Sequence, residues 1–444
     1  MTADHTQRAR RRALLLSSLF GASWLGLRSL ATGLPASFLL APRRAAAAEP
    51  VASDAQKPQY LILSTSAAGD PLTNNCPGTY DDDAIAHPQD SAMAKTSISL
   101  GGTPHAAAKP WASLGQSVLD RACFFHHRSL TNNHADYPKV MRLMGATEKG
   151  EMLPSLFAKQ LGPRLSTVQT EPIGVALEGG ETLSFSGRVL SALPPLGLKN
   201  ILATPAGPLL GLRQLRDQAL DEISAVLKED ASPAARQFLD RYALSQSQAR
   251  SISESLLENL EGIQGNGPDD QVIAAAALVK MGVSPVITCH IPFGGDNHSD
   301  AGLANETSET VAGMATLAKL FDKLAQLGLS DTTTVGILNV FGRPLRAKAP
   351  AGRDHWQLHN VLFMFGANVR GSVIGGLRPT EDRNDFQSLP IDSKTGAGTL
   401  EGDIPVEQSL AAAGKTLGAA LGIERSQLDA LVTQGTVVEA ALRS

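Results

Sequence analysis

The stretch Pro285–Asp300, PVITCHIPFGGDNHSD, constrains the fold more than any other: a short β-branched apolar run gives way at once to a glycine turn carrying Asp296, His298 and Asp300. Pro285–Cys289 suits a buried strand, because branched side chains pack well on a pleated surface and a continuously apolar run fits a sheet covered on both faces. Gly294 and Gly295 allow the backbone to turn sharply and to approach a bound group. In open α/β sheets ligands bind in the crevice beyond the carboxyl ends of the strands, so a carboxylate and an imidazole delivered there are placed for chemistry. Taken alone, the stretch also reads as a solvated polar loop.

The flanking pattern favours the sheet. A helix over Gln271–Met281 leads into the strand, an amphipathic helix over Glu306–Leu327 leaves it, and Thr333–Val340 is the next strand, a β-α-β step that builds a mostly parallel sheet. Asn360–Phe365 is a further strand. Upstream, Tyr60–Leu63 reads as the first strand, followed by a turn-rich segment with Ser64, Thr65, Ser66, Gly69 and Asp70. A hydroxyl or carboxylate just past such a strand is a candidate nucleophile or ligand, though the same residues serve any turn. Leu119–Phe125 reads as another strand, and the densest imidazole cluster follows it: His126, His127 and His134, with Asn132, Asn133 and Asp136. Their spacing matches no tight ligand motif, so substrate contact or support of a ligand is expected ahead of direct metal ligation. From Leu209 to about 264 the periodicity is helical, with Ser232-Pro233 as an N-cap and first helical position and a later helix through Ile252, Leu256, Leu257 and Leu260. This region reads as a helical insertion in a domain spanning 59–444.

The N-terminus is expected to lie outside the fold. Arg8 and Arg10–Arg12 precede an apolar run from Ala13 to Leu27, and Ala45–Ala48 offers a small-residue cleavage site. Arg11-Arg12-Ala13-Leu14-Leu15 resembles a twin-arginine signal, an address read by the export machinery. Residues 1–48 are therefore expected to be an export signal and 49–58 a linker, with the protein periplasmic or extracellular and membrane-tethered only if the signal stays uncleaved. A net charge of −4 over 444 residues gives no basic field for a phosphate backbone, so nucleic acid is excluded as a partner. Cys76, Cys123 and Cys289 form no metal-type pair.

Three motifs in order, Gly-x-Asp-x-His at Gly294–His298, Phe341-Gly342-Arg343 after a strand, and Gly352-x-Asp354-His355 before another, resemble the bacterial domain-of-unknown-function 1501 family, within the alkaline phosphatase and sulfatase superfamily. The resemblance covers Val283–Gly376 well. It implies a three-layer α/β/α sandwich and a site that commonly holds two divalent cations, acting on phosphate or sulfate esters. Carried over by position, Asp296, His298, Asp354 and His355 become metal-ligand candidates, with Asp354 alternatively orienting His355. Arg343 becomes a catalytic candidate able to meet an anionic oxygen bidentately. The family's Ser-Glu stands here as Asn339-Val340, and valine can neither ligate a metal nor move a proton. Ser64 and Thr65 remain the candidate nucleophiles, and Asp70, His126, His127, His134, Asp136 and Asn339 are expected to support ligands or touch substrate.

Zinc leads from the mixed oxygen and nitrogen ligands, with calcium, manganese or no ion as alternatives. The first expectation is an exported metal-dependent hydrolase of small or polymeric sulfate or phosphate esters. The second is a catalytically degenerate protein that keeps the fold for binding or envelope assembly.

Overall fold

The computed structural model describes residues 57–175, 183–202, 209–229, 231–233, 235–236, 239–240, 260–346 and 352–443. The expected export signal, and Ile252, Leu256 and Leu257 of the expected later helix, lie outside these residues. The larger of two compact units comprises Pro50–Gly197 and Asn259–Ser444, while Leu198–Glu258 falls in the other. In that second segment the expected helical pattern appears as Leu209–Glu229, and Ser232 Oγ accepts the Ala235 N–H at 3.4 Å with Pro233 at the first helical position.

The strands of the larger unit are β1 Tyr60–Ser66, β2 Lys95–Leu100, β3 Thr103–Ala108, β4 Ala122–His127, β5 Ile173–Gly174, β6 Leu183–Phe185, β7 Arg188–Leu190, β8 Val286–Cys289, β9 Thr333–Asn339, β10 Asn360–Phe365, β11 Ser372–Ile374, β12 Leu377–Pro379 and β13 Phe386–Ser388. Seven of them form one α/β sheet in the order β11-β4-β10-β9-β1-β8-β5, and the others pair as three two-stranded ribbons. Within the sheet β10 runs antiparallel to both neighbours, and every other pairing is parallel. The carboxyl ends of β4, β9, β1 and β8 therefore share one edge with the amino end of β10. Every polar segment singled out in the sequence issues from or returns to that edge.

Burial explains the central strands. β8, β9, β10 and β4 are buried at every position, as a strand covered on both faces must be. Leu61, Leu63, Phe125, Leu338, Leu362 and Met364 share a core with residues of two helices, α1 Leu153–Leu165 and α2 Ser409–Ala420. Each such side chain stabilises the fold by about 1.5–3 kcal/mol relative to exposure. Trp111, Phe124, Phe363 and Phe293 form a separate aromatic stack, with Trp111 meeting Phe124 edge-on at 4.8 Å.

Two expected boundaries move, for one reason. β1 continues through Ser64, Thr65 and Ser66, which pair with Ile337, Leu338 and Asn339. β4 starts at Ala122 and includes His126 and His127, paired with Val361 and Asn360. At the carboxyl ends of these strands, backbone pairing with a neighbouring strand carries polar residues that sequence patterning assigns to turns.

The helices flanking β8 are capped by acids. Helix α3, Pro268–Lys280, begins with proline, and Asp270 accepts the Gly267 N–H at 3.2 Å. Helix α4, Ala304–Gln326, begins where Asp300 accepts the N–H groups of Asn305 and Glu306, both at 2.9 Å. Asp300 thus ends the loop that starts at Gly294 and starts the helix after it. Among the described residues no helix is long and apolar enough to cross a membrane.

Candidate metal centre

Three loops at the shared edge deliver three imidazoles and a carboxylate to one place. The loop after β8 brings Asp296 and His298, the segment before β10 brings His355, and a short turn at His134–Asp136 after β4 brings His134. That turn is capped by Asn133, whose side chain accepts the Ala135 N–H at 3.1 Å. His298 Nε2 lies 2.9 Å from Asp296 Oδ1 and 2.9 Å from His355 Nε2. His355 Nε2 lies 3.4 Å from Asp296 Oδ1, and His134 Nε2 lies 3.4 Å from Asp296 Oδ2. A tetrahedral zinc with nitrogen ligands at 2.0–2.1 Å places its ligand atoms about 3.3 Å apart, close to these spacings. His134, Asp296 and His355 each offer a ligand atom within 4.8 Å of the others.

The tautomers are set from behind. His134 Nδ1 lies 2.6 Å from the Ala67 carbonyl and His355 Nδ1 lies 2.7 Å from the Asn132 carbonyl, so in the neutral form of each ring Nδ1 carries the proton and Nε2 the lone pair. His298 Nδ1 faces Asp354 Oδ1 at 3.1 Å, the carboxylate–imidazole arrangement that fixes the orientation of a ligating ring. Asp354 thus supports His298, whereas His355 takes its support from Asn132. The rings of His134 and His355 both rest on buried Phe341, at centroid separations of 4.9 and 4.4 Å.

Burial alone would raise the Asp296 carboxyl, but the hydrogen bond and charge of Arg343, with His298 and His134, outweigh it and hold the group below its ordinary value. The His355 imidazole is pushed down by desolvation and the Arg343 and His134 charges, which exceed the opposing pull of the Asn132 carbonyl and Asp296. Both shifts favour the forms that bind a cation. The Asp296 side chain remains 45% exposed, so the centre opens to solvent.

Two glycines make the loops possible. Gly294 has φ +137°, and a Cβ there would lie 2.4 Å from Pro71 Cδ. Gly352 has φ +77°, and a Cβ there would lie 2.1 Å from the Asn297 carbonyl oxygen. Its N–H donates to the Asp300 carbonyl at 3.1 Å and the Arg353 N–H to the Asn297 carbonyl at 3.0 Å, which stitches the His355 segment onto the Asp296 loop.

The other sequence candidates fall elsewhere. Arg343 departs furthest from expectation: its guanidinium is buried and donates to the carbonyls of Gly69 (2.6 Å), Ala68 (2.8 Å), Arg353 (3.3 Å) and Gly295 (3.4 Å), and to Asp296 Oδ1 (2.8 Å). It braces three loops from within, and the donors expected to meet a substrate anion are engaged. Ser64 and Thr65 are buried in β1, where Ser64 Oγ accepts the Ile291 N–H at 2.9 Å and Thr65 Oγ1 accepts from the Tyr137 hydroxyl at 3.2 Å. Asp70 is buried, takes a hydrogen bond from Ser66 Oγ at 2.8 Å, and has its carboxyl raised by desolvation. Asp136 accepts from Thr131 at 2.7 Å and pairs with Lys139 at 2.8 Å. His126 and His127 are buried: His126 bonds His359 and the Pro77 carbonyl, both at 2.9 Å, and His127 the Arg128 carbonyl at 3.1 Å. Asn339 is buried with its carbonyl accepting from Asn360, and Val340 lies in the apolar core.

Pattern reading passed over Glu306 and Arg353, a buried ion pair at 2.7 Å beneath the centre. An arginine directly before Asp-His and a glutamate in the first turn of the helix after Asp-x-His were the available signals.

Residues 213–386 match the model of a family described as protein of unknown function (DUF1501). The match supports that family. The DUF1501 match spans less than half of the chain but takes in Asp296, His298, Arg343, Asp354 and His355, whereas His134 lies outside it. No curated protein matches the chain. A solved structure described as "Crystal structure of Ps i-CgsB" is 12% identical with a TM-score of 0.31, covering 86% of this chain and 75% of that one.

Proposed function

We propose that the protein is an exported, metal-dependent hydrolase of sulfate or phosphate esters, built as a three-layer α/β/α sandwich of the alkaline phosphatase and sulfatase type. The observation that carries this reading is the convergence of His134, His298, His355 and Asp296 with both pinned imidazoles presenting Nε2 inward. Two pinned imidazoles and a carboxylate able to reach one ion, with His298 2.9 Å from both Asp296 and His355, fit zinc better than calcium, which prefers oxygen alone. When bound, such an ion polarises an ester oxygen and lowers the pKa of a water. The chain's own residues do the rest: Asp354 holds the His298 ring in register, Phe341 supports two rings, and Arg343 keeps Asp296 ionised and in place. The hydroxyls of Ser64, Thr65 and Ser66 are buried and bonded within the protein, so water supplies the attacking oxygen and the alcohol departs with a proton. The twin-arginine-like signal supports a periplasmic or extracellular location.

Elemental analysis of protein purified without chelators tests the reading, alongside the His134→Ala and His298→Ala variants and turnover of chromogenic sulfate and phosphate esters. One zinc per chain, lost in both variants together with hydrolysis, is expected. Protein free of metal under those conditions would remove the hydrolase. Metal without hydrolysis would favour the second reading, an exported binding or envelope-assembly protein, to which the engaged Arg343 donors and apolar Val340 also point.

A further inference from the structure

Two of the three loops that carry the ligands share one buried anchor that is hydrogen-bonded to none of the four ligand side chains. Glu306, in the first turn of α4, is fully buried, and its two oxygens accept N–H groups from three separate segments. Oε2 accepts from Arg353 Nε at 2.7 Å and Asn297 Nδ2 at 3.2 Å, and Oε1 accepts from Asn75 Nδ2 at 3.0 Å and from the Arg353 guanidinium at 3.2 Å. Asn297 lies between Asp296 and His298, and Arg353 immediately precedes Asp354 and His355. The Asn297 and Arg353 contacts are thus each one residue away from groups that face the centre.

We infer that Glu306 is the positioning residue that sets the span between the Asp296/His298 pair and His355, and so tunes the affinity and geometry of the metal centre. The inference rests on the metal-centre reading above. Glu306 has the right charge for the task, because a buried guanidinium needs a paired anion and Arg353 meets it side-on through two nitrogens. Its own place is fixed, since its N–H is held by Asp300 at 2.9 Å at the start of a 23-residue helix. Arg353 is locked in turn by the carbonyls of Ala86 (2.6 Å) and Pro344 (2.8 Å). With both partners immobile, the loops cannot slide past each other while the carboxylate stays. Groups bonded directly to metal ligands change metal affinity by about 10–100-fold when removed, and Glu306 acts one residue further back, through Asn297 and Arg353, so the lower end of that range is expected.

The test is zinc titration of chelator-stripped full-length protein by calorimetry, with the visible spectrum of the cobalt(II) form as the geometric readout. Glu306→Gln keeps the shape and removes the charge. Asn297→Ala cuts only the link to the Asp296 loop and leaves the Glu306–Arg353 pair intact, so it reads the inference even where Glu306→Gln fails to fold. Both folded variants are expected to bind zinc about 10-fold more weakly and to show altered cobalt bands. Unchanged zinc affinity and an unchanged cobalt spectrum in Asn297→Ala, beside an unmodified protein that binds zinc, would overturn the role of Glu306 and leave the metal centre standing. An unmodified protein that binds neither ion would overturn both.

Discussion

Gly352→Ala tests how tightly the two ligand-bearing segments are joined. The added methyl carbon would sit 2.1 Å from the Asn297 carbonyl oxygen and 2.6 Å from the His298 carbonyl carbon, so it meets backbone that no side-chain rotation can clear. Restoring an ordinary contact requires about 1 Å of separation between the segments, while a zinc ligand distance is held to about 0.2 Å. Holding alanine at φ +77° costs about 1–2 kcal/mol. The hydrogen bonds from Gly352 to Asp300 and from Arg353 to Asn297 would be strained at about 1 kcal/mol each. The total is about 3–4 kcal/mol of stability, with zinc affinity falling as His355 leaves Asp296 and His298. Gly295→Ala is the matched control: it adjoins Asp296, but its φ is not positive and nothing lies within 4 Å of the added methyl. Urea unfolding and zinc calorimetry on the two variants separate the cases. If Gly352→Ala unfolds at the same urea concentration as the unmodified protein, or if Gly295→Ala is equally damaging, the close-approach argument fails.

Asp354→Asn should keep every proposed ligand yet weaken zinc binding about 10-fold, measured by competition with a chromogenic chelator; undiminished affinity would remove Asp354 as the support of His298. Stability should fall with acidification, because desolvation pushes the buried imidazoles of His126 and His127 down to about 4, so the unfolded chain takes up protons first. The loss begins near pH 6.5, reaches about 2 kcal/mol for each ring by pH 5 and levels off below about 4; a urea midpoint that stays flat from pH 7 to pH 5 would contradict it. Val340→Glu should destabilise the fold by several kcal/mol, on the order of the penalty for an unpaired buried charge. Normal thermal unfolding together with a second equivalent of bound metal would show instead that the position can still serve a cation.

The sheet was readable wherever apolar patterning and burial agree. Val286–Cys289, Thr333–Asn339 and Asn360–Phe365 are strands for the reason their sequences suggest, and the Ser232-Pro233 helix start is present as local chemistry dictates. The strand ends were misjudged where Ser64–Ser66 and His126–His127 owe their conformation to neighbours far away in sequence. In the centre, Asp296, His298 and His355 stand in compact motifs, whereas His134 is brought to them by topology alone. Arg343 shows the limit most clearly: a guanidinium after a strand has the same residue type whether it faces an anion or five internal oxygens. Only the packing of Ala68, Gly69, Gly295 and Arg353 around it decides.

The reversal of β10 has a consequence for how the molecule can be re-engineered. A connection between parallel strands must travel back to the far edge, but β9 ends and β10 begins on the same side. The joining segment closes on itself where Gly342 and Trp356 exchange backbone hydrogen bonds at 2.9 and 3.2 Å. Everything between these two residues, including Arg343, Arg353, Asp354 and His355, is therefore a cassette with adjacent entry and exit points. Shuffling it among homologous chains needs no rethreading of the sheet, and His355 travels with Asp354 and Arg343 as one contiguous insert.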